Sequence, residues 1–255
     1  MNPKIKTNMN KVSKKGKFLF LAYDQGLEHG PTDFDSKNVD PNYIIQIAKK
    51  EKYTGLVFQK GIAEKYNSEI KKSKIPLVIK LNGKTNLFKG EPVSRQLCTV
   101  AEAIKLGAVG VGYTIYIGSE SEDEMFQEFE KIQKEAHEKG LFIIAWIYPR
   151  GSGIKGKSER DLMAYSTRVG LELGADIIKI QPSGNLRDLK WAVKSAGKAR
   201  VVSAGGLKTG DDNLLNQVSQ YIQAGFAGLA VGRNVWQHEN PHEITANIKK
   251  VIWKK

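Results

Sequence analysis

The chain has 255 residues and a formal net charge of +13, from 40 lysines and arginines against 27 aspartates and glutamates. That length fits either one large α/β barrel, which takes about 250 residues, or two small domains. Hydrophobic residues make up 40% of the chain, which excludes intrinsic disorder as its main state. The longest apolar run, Leu141 to Tyr148, is far too short to span a bilayer.

The N-terminal segment of residues 1–17 is rich in lysine and contains no acidic residue, so we expect a basic arm that precedes a barrel domain of residues 18–255. Only six apolar residues, Phe18 to Tyr23, follow this arm before Asp24, which is too few for a secretory signal. A single cysteine, Cys98, excludes an internal disulfide and fits a reducing compartment. We expect a cytoplasmic protein that is not attached to a membrane.

Short apolar runs alternate with helical patterns from one end of the chain to the other. The runs show little polar alternation, which is typical of parallel strands that are covered on both faces. The predicted strands are Phe18–Tyr23, Gly55–Gln59, Pro76–Leu81, Ala108–Tyr113, Leu141–Tyr148, Asp176–Gln181, Arg200–Ala204 and Phe226–Val231.

The segments between these strands carry apolar residues at helical spacing. In Ser94–Leu106, for example, Leu97, Val100 and Ile104 lie on one stripe. The other predicted helices are 41–52, 62–72, Asp123–Glu138, 159–173, 186–196, 212–224 and 241–253. Eight strands alternating with eight helices predict an α/β fold, a single (β/α)₈ TIM barrel.

Lys179 is the first candidate for chemistry, because it lies inside a strand that we expect to be buried. A buried ammonium without a partner tends to lose its proton, and the neutral amine can form a Schiff base with a carbonyl. The alternative is a lysine that pairs with a carboxylate or extends to the rim. Lys80 in the third predicted strand has nearly the same surroundings, and periodicity alone does not choose between the two.

Two aromatic residues of the fifth predicted strand, Trp146 and Tyr148, are two positions apart and therefore share a face. If that face is the interior, Tyr148 is a candidate to move protons, provided that a neighbouring cation such as Arg150 lowers its pKa. The alternative for both aromatics is core packing. Asp24, at the end of the first strand, is a candidate acid or base, or the cap of a turn.

Glycines and an arginine follow the last two strands, where many TIM barrels bind phosphate. Free backbone N–H groups attract anions there, and an arginine can hold a phosphate with two N–H groups. Gly-Gly pairs also mark ordinary turns. His29 is a weaker candidate for an anion contact. The predicted phosphate-site residues are Ser203, Gly205, Gly206, Gly232 and Arg233.

Other classes of site find little support. The chain has four histidines, and Pro241 separates His238 from His242, so we expect no metal site. No Cys-x-x-Cys, Walker A or Rossmann motif is present, and we expect no cofactor. The positive charge can steer an anionic substrate or bind nucleic acid, but a solvated lysine surface explains it more simply, since the basic stretches lack interleaved aromatics.

The sequence resembles the archaeal-type class I fructose-bisphosphate aldolases of the deoxyribose-phosphate aldolase superfamily over nearly the whole chain after the arm. The motifs that carry the resemblance are Ala22–Pro31, Lys80–Thr85, Trp146–Gly151 and Ala175–Lys179.

The resemblance implies a Schiff-base aldolase without cofactor, which reversibly cleaves fructose 1,6-bisphosphate to dihydroxyacetone phosphate and glyceraldehyde 3-phosphate in glycolysis and gluconeogenesis. It implies that Lys179, rather than Lys80, is the Schiff-base lysine, with Tyr148 as the proton donor. Asp24 is then the polar partner at the reacting hydroxyls. The implied substrate-binding residues are Gln25, His29, Trp146, Arg150, Ser203, Gly205, Gly206, Gly232 and Arg233, with Arg150 at the distal phosphate.

Two alternatives remain at this point. A related branch makes an aromatic-pathway precursor from a keto-sugar phosphate, but its first loop reads Asp-His-Gly where this chain has Asp24-Gln25-Gly26. A barrel scaffold that binds RNA through its basic surface is the second alternative. The resemblance also implies a homo-oligomer, and the expected partner is a phosphorylated sugar rather than nucleic acid.

Overall fold

The computed structural model describes residues 2–206 and 208–254. The strands in these ranges are β1 (Phe18–Ala22), β2 (Gly55–Gln59), β3 (Leu77–Lys80), β4 (Asn82–Gly83), β5 (Arg95–Gln96), β6 (Ala108–Ile117), β7 (Phe142–Pro149), β8 (Ile177–Ile180), β9 (Arg200–Ala204) and β10 (Gly228–Val231). All except β4 and β5 form one closed barrel in which neighbouring strands are parallel, and β10 pairs with β1. β4 and β5 pair separately as a short antiparallel ladder. The predicted TIM barrel is confirmed.

Helices surround the barrel and connect successive strands. They are α1 (Pro3–Lys11), α2 (Gly26–His29), α3 (Pro41–Lys50), α4 (Lys60–Lys65), α5 (Asn67–Ser73), α6 (Val100–Lys105), α7 (Glu122–Lys139), α8 (Glu159–Glu172), α9 (Leu186–Ser195), α10 (Asp211–Ala224), α11 (Arg233–Trp236) and α12 (Pro241–Ile252).

Most predicted elements begin and end within two residues of the observed ones, and the predicted helix 62–72 is divided into α4 and α5. Two predicted elements differ more. The helix that we expected over Ser94–Leu106 begins only at Val100, because Thr99 and Glu102 form a capping box there. The predicted fourth strand continues past Tyr113 to Ile117, since its last residues pair with the long strand β7.

Strand side chains alternate between the barrel interior and the layer of helices. Phe18, Phe20 and Phe142 are buried in the interior cluster at the N-terminal half of the barrel. Gly112 leaves room for the indole ring of Trp146, which lies nearer the C-terminal end of the barrel. A Cβ at Gly112 would lie 1.3 Å from an atom of this ring. This ring divides the packed interior from the mouth of the barrel.

The basic arm has a defined place. Its helix α1 contacts β6 and β7, and Ile5 and Val12 are buried in the same interior cluster as Phe18. Asn8 donates a hydrogen bond to the carbonyl of Gly140 at 2.9 Å. Helix α1 therefore covers the N-terminal end of the barrel, and the division of the chain at residue 17 stays a prediction.

Within the described ranges, none of the helices combines the length and the apolar character that a bilayer crossing requires.

Candidate active site

A cavity of about 130 Å³ opens at the C-terminal end of the barrel strands. It is polar, as expected for the end of a TIM barrel at which active sites lie. The predicted residues that line it are Asp24, Gln25, His29, Tyr148, Arg150, Lys179, Gly205, Gly206, Gly232 and Arg233. Three further polar residues also line it: Glu28 and Gln181, which the sequence did not place in the site, and Lys80, which the residue pattern left open as an alternative to Lys179.

Lys179 is the buried amine of this cavity. It lies on β8 beside Trp146 of β7, and its Nζ is 5.3 Å from the centroid of the indole ring. The residue is only 6% exposed. Burial lowers the pKa of Lys179 to about 8, and the effect of Asp24, which acts in the opposite direction, does not cancel this shift. A useful share of the amine is therefore uncharged near neutral pH.

Lys80 is the lysine that pairs with a carboxylate. Its Nζ lies 3.5 Å from Oδ2 of Asp24, and both residues are buried. Burial alone would raise the pKa of Asp24, but the positive charges of Lys179 and Lys80 outweigh it and lower this pKa. Asp24 is therefore held as a carboxylate, and the two lysines, which the sequence pattern did not distinguish, have different electrostatic surroundings.

Tyr148 is held as a neutral phenol. The guanidinium carbon of Arg150 lies 5.6 Å from the centroid of the Tyr148 ring, as the sequence led us to expect. Burial nevertheless raises the pKa of Tyr148 well above its usual value, and the charges of Asp24 and Glu28 raise it further. Arg150 does act to lower this pKa, as expected, but burial and the two carboxylates outweigh it, so Tyr148 is available as a proton donor rather than as a base.

Glu28 is a residue of the site that sequence reasoning missed. It lies on α2, one turn after Asp24, inside a motif that the resemblance had already singled out. Its Oε1 accepts a hydrogen bond from Nη1 of Arg150 at 2.7 Å and another from the Tyr116 hydroxyl at 3.4 Å. Its place in that motif, next to His29, was the available signal.

The predicted phosphate-site residues are linked by a carboxylate. Nδ1 of His29 lies 2.6 Å from Oδ2 of Asp33, while Nη1 of Arg233 lies 3.5 Å from Oδ1 of the same residue. Nη2 of Arg233 also donates to the carbonyl of Gly206 at 3.3 Å. Two groups able to carry positive charge are thus fixed at one side of the cavity, where an anion can bind.

Glycines shape this side of the cavity. Gly206 has a φ of +66°, which favours glycine, and a Cβ at Gly232 would lie 2.9 Å from the carbonyl oxygen of Ala22. The N–H of Gly205 is occupied, because it donates to the carbonyl of Ala230 at 3.0 Å. The short helix α11 starts directly after Gly232.

Two predicted site residues lie away from the cavity wall. Trp146 is 1% exposed and belongs to the interior cluster beneath Lys179, so it supports the lysine from below. Ser203 lies on β9 between Val202 of the interior cluster and Ala204 of the cavity. Because side chains alternate along a strand, the Ser203 hydroxyl faces the helices, and the prediction for this side chain is corrected.

Among residues 2–206 and 208–254, no three or more histidine, cysteine, aspartate or glutamate side chains lie close enough together to hold a metal ion.

Comparison with known proteins gives a consistent result. Residues 18–238 match a family described as DeoC/LacD family aldolase. The fructose-bisphosphate aldolase class 1 of Thermoproteus tenax is 44% identical over 244 residues, which cover 94% of this chain and 91% of that protein. The fructose-bisphosphate aldolase/6-deoxy-5-ketofructose 1-phosphate synthase of Methanocaldococcus jannaschii is 34% identical over 265 aligned positions, which cover 98% of this chain and 84% of that protein.

A solved structure is also similar throughout. It is an archaeal fructose-1,6-bisphosphate aldolase with the catalytic lysine covalently bound to the carbinolamine intermediate of the substrate. It superposes with a TM-score of 0.92 at 41% identity, and the match covers 98% of this chain and 99% of that one.

Proposed function

The chain belongs to the DeoC/LacD aldolase family and, within it, to the archaeal-type class I fructose-bisphosphate aldolases, and from this premise we propose how its residues cleave fructose 1,6-bisphosphate. The activity is the reversible, Schiff-base cleavage of this sugar into dihydroxyacetone phosphate and glyceraldehyde 3-phosphate. The observation that carries the proposal is a buried lysine, Lys179, whose pKa is lowered to about 8 and which lines the polar cavity.

The first step is attack by the Lys179 amine on the ketone carbon of the open-chain sugar. With a pKa of about 8, about a tenth of this amine is unprotonated at pH 7. Addition gives a carbinolamine, and loss of water gives an iminium. The positive nitrogen then draws electrons away from the neighbouring carbon atoms.

The second step breaks the C3–C4 bond. The carboxylate of Asp24 accepts the proton of the C4 hydroxyl, and the electrons of the bond move into the iminium to form an enamine. Glyceraldehyde 3-phosphate leaves as the aldehyde. The neutral phenol of Tyr148 donates a proton to C3, and hydrolysis of the resulting iminium frees dihydroxyacetone phosphate and the amine of Lys179.

The remaining cavity residues hold the two phosphates. We assign the ketone-side phosphate to Arg233 and the backbone around Gly206 and Gly232, because this wall carries a guanidinium beside glycine backbone. We assign the distal phosphate to Arg150. Contacts to both phosphates hold the ketone carbon next to the Lys179 amine, so that the energy of phosphate binding positions the reacting atoms.

Trapping with borohydride tests the proposal. In the presence of dihydroxyacetone phosphate, borohydride should reduce the iminium and leave a covalent adduct that mass spectrometry locates on Lys179. The Lys179→Ala variant should give no adduct and no cleavage, whereas Lys190→Ala, at an exposed site on α9, should behave as the wild type. Cleavage should also continue in EDTA. An adduct on Lys80, or turnover that chelation abolishes, would contradict the assignment.

The second candidate is an aldolase that acts on another phosphorylated keto-sugar. It is favoured by the 34% identity to the Methanocaldococcus jannaschii protein, whose name includes a second synthase activity. A substrate panel that compares fructose 1,6-bisphosphate with condensation onto non-sugar aldehydes separates the two. A homo-oligomer and a cytoplasmic location remain our predictions, and binding of RNA with salt-dependent affinity but no adduct would favour the scaffold alternative.

A further inference from the structure

One ion pair of the cavity joins two residues that are 122 positions apart. Nη1 of Arg150 donates to Oε1 of Glu28 at 2.7 Å. The Glu28 side chain is 12% exposed while that of Arg150 is 44% exposed, so the carboxylate is the inner partner and the guanidinium the outer one. The Tyr116 hydroxyl also donates to Oε1, at 3.4 Å.

The backbone on both sides of this pair is anchored. The carbonyl of Glu28 accepts a hydrogen bond from the N–H of Asn86 at 3.0 Å, and the N–H of Arg150 donates to the carbonyl of Ile117 at the same distance. The guanidinium carbon lies 5.2 Å from the ring centroid of Tyr116. Two tyrosine rings, that of Tyr116 and that of Tyr148, therefore contact the guanidinium, and one carboxylate fixes one of its N–H groups.

We propose that Glu28 is a positioning residue that gives the enzyme its selectivity for sugars with a second phosphate. Glu28 binds one N–H of Arg150 and holds the guanidinium in a single orientation, from which its remaining donors contact the distal phosphate. A guanidinium has five N–H donors, so one bond to Glu28 leaves enough of them to bind a phosphate with two hydrogen bonds. This inference rests on the proposed function, because it takes Arg150 as the ligand of that phosphate.

Removal of the pair partner should affect one substrate more than another. Fructose 1,6-bisphosphate carries the distal phosphate and fructose 1-phosphate lacks it, so the ratio of their kcat/KM values measures what Arg150 contributes. Glu28→Ala should lower this ratio about tenfold, mainly through a higher KM for the bisphosphate, because loss of a charge-assisted hydrogen bond releases the guanidinium. Glu28→Gln retains an accepting oxygen and should keep most of the ratio.

A double-mutant cycle tests whether Glu28 acts through Arg150. Arg150→Ala should lower the ratio at least as much as Glu28→Ala, and the double variant should lose no more than Arg150→Ala alone. Glu172→Ala removes the glutamate of an exposed Glu–Arg pair on α8, with Arg168, and is the matched control that should keep the wild-type ratio. Thermal unfolding midpoints show that each variant is folded.

Three outcomes would overturn the inference. Equal losses on both sugars in Glu28→Ala, additive losses in the cycle, or tighter binding of the bisphosphate would each contradict it, the last because Glu28 would then compete with the phosphate for Arg150. Failure of the proposed function is a separate outcome. It shows in the wild type, as absence of cleavage and of a borohydride adduct on Lys179.

Discussion

The indole ring of Trp146 occupies the space directly above Gly112, where no other residue type would fit. The same ring lies 5.3 Å from the Nζ of Lys179. Gly112 on β6 therefore allows Trp146 on β7 to take the position beneath the Lys179 amine of β8.

Gly112→Ala should disturb this floor. The added methyl group would overlap the indole, and overpacking of this kind costs about 1–3 kcal/mol or more when the ring cannot move. We expect a lower midpoint in urea unfolding and slower formation of the borohydride adduct. Gly61→Ala is the matched control, since a Cβ there meets no atom within 4 Å. An active and fully stable Gly112→Ala protein would show that the ring has another place to go.

Lys179→Met should make the folded protein more stable at neutral pH. Burial lowers the pKa of Lys179 from 10.5 to about 8, so the folded state binds this proton less tightly than the unfolded state does. The difference corresponds to about 3 kcal/mol of lost stability below pH 8, and methionine removes that cost.

The pH dependence gives the sign of this effect. Between about pH 8 and pH 10.5 the unfolded wild type holds the proton that the folded wild type has lost, so wild-type stability rises with pH. The advantage of Lys179→Met in urea unfolding should therefore shrink over this interval. Lys190→Met, at an exposed position, should show no such trend, and a constant advantage at every pH would contradict the lowered pKa.

Asp24→Asn should separate two effects of the Asp24 carboxylate: its influence on the pKa of Lys179 and its proposed role as a proton acceptor. Asp24 raises the pKa of Lys179, so its neutralisation should move that pKa below about 8 and shift the pH profile of adduct formation to more acidic values. Cleavage should fall about 10²–10⁴-fold if Asp24 accepts the proton of the C4 hydroxyl. The measurement compares the initial rates of trapping and of cleavage from pH 5 to pH 9. A shift to alkaline pH would contradict the geometry.

Arg233→Ala should weaken the preference for phosphorylated ketones. Arg233 is held by Asp33 and by the Gly206 carbonyl at the wall to which we assign the ketone-side phosphate. Loss of a charge-assisted contact should reduce the preference for dihydroxyacetone phosphate over dihydroxyacetone tenfold or more, measured by the concentration dependence of trapping. Arg168→Ala, on the exposed face of α8, is the control. An equal preference in both variants would contradict the assignment of the ketone-side phosphate to Arg233.

The barrel was predictable because its strands are short apolar runs at regular intervals, and this pattern does not depend on distant contacts. The choice between Lys179 and Lys80 did depend on such contacts. Both lysines lie in buried strands, and they differ in contacts with other parts of the chain: Asp24 lies 3.5 Å from Lys80, and the Trp146 indole lies beside Lys179. The resemblance made the choice where the residue pattern alone left it open.

Two other outcomes show where sequence reasoning reaches its limit. The position of Ser203 was within reach, because alternation along β9 puts it on the opposite face from Val202 and Ala204. The pairing of Glu28 with Arg150 was not, because it joins residues from opposite parts of the chain. Long-range ion pairs of this kind leave no periodic signal in a single sequence.

Helix α1 closes the end of the barrel that lies away from the cavity, because Ile5 and Val12 are buried there. Substrate entry and the release of both fragments must then take place through the same mouth of the barrel. The fragment that we propose is bound covalently to Lys179 would stay in place while the other departs, so the free aldehyde would pass the rim first. The order of product release thus follows from the covalent bond that we propose, while the closed base makes both products leave past the same rim.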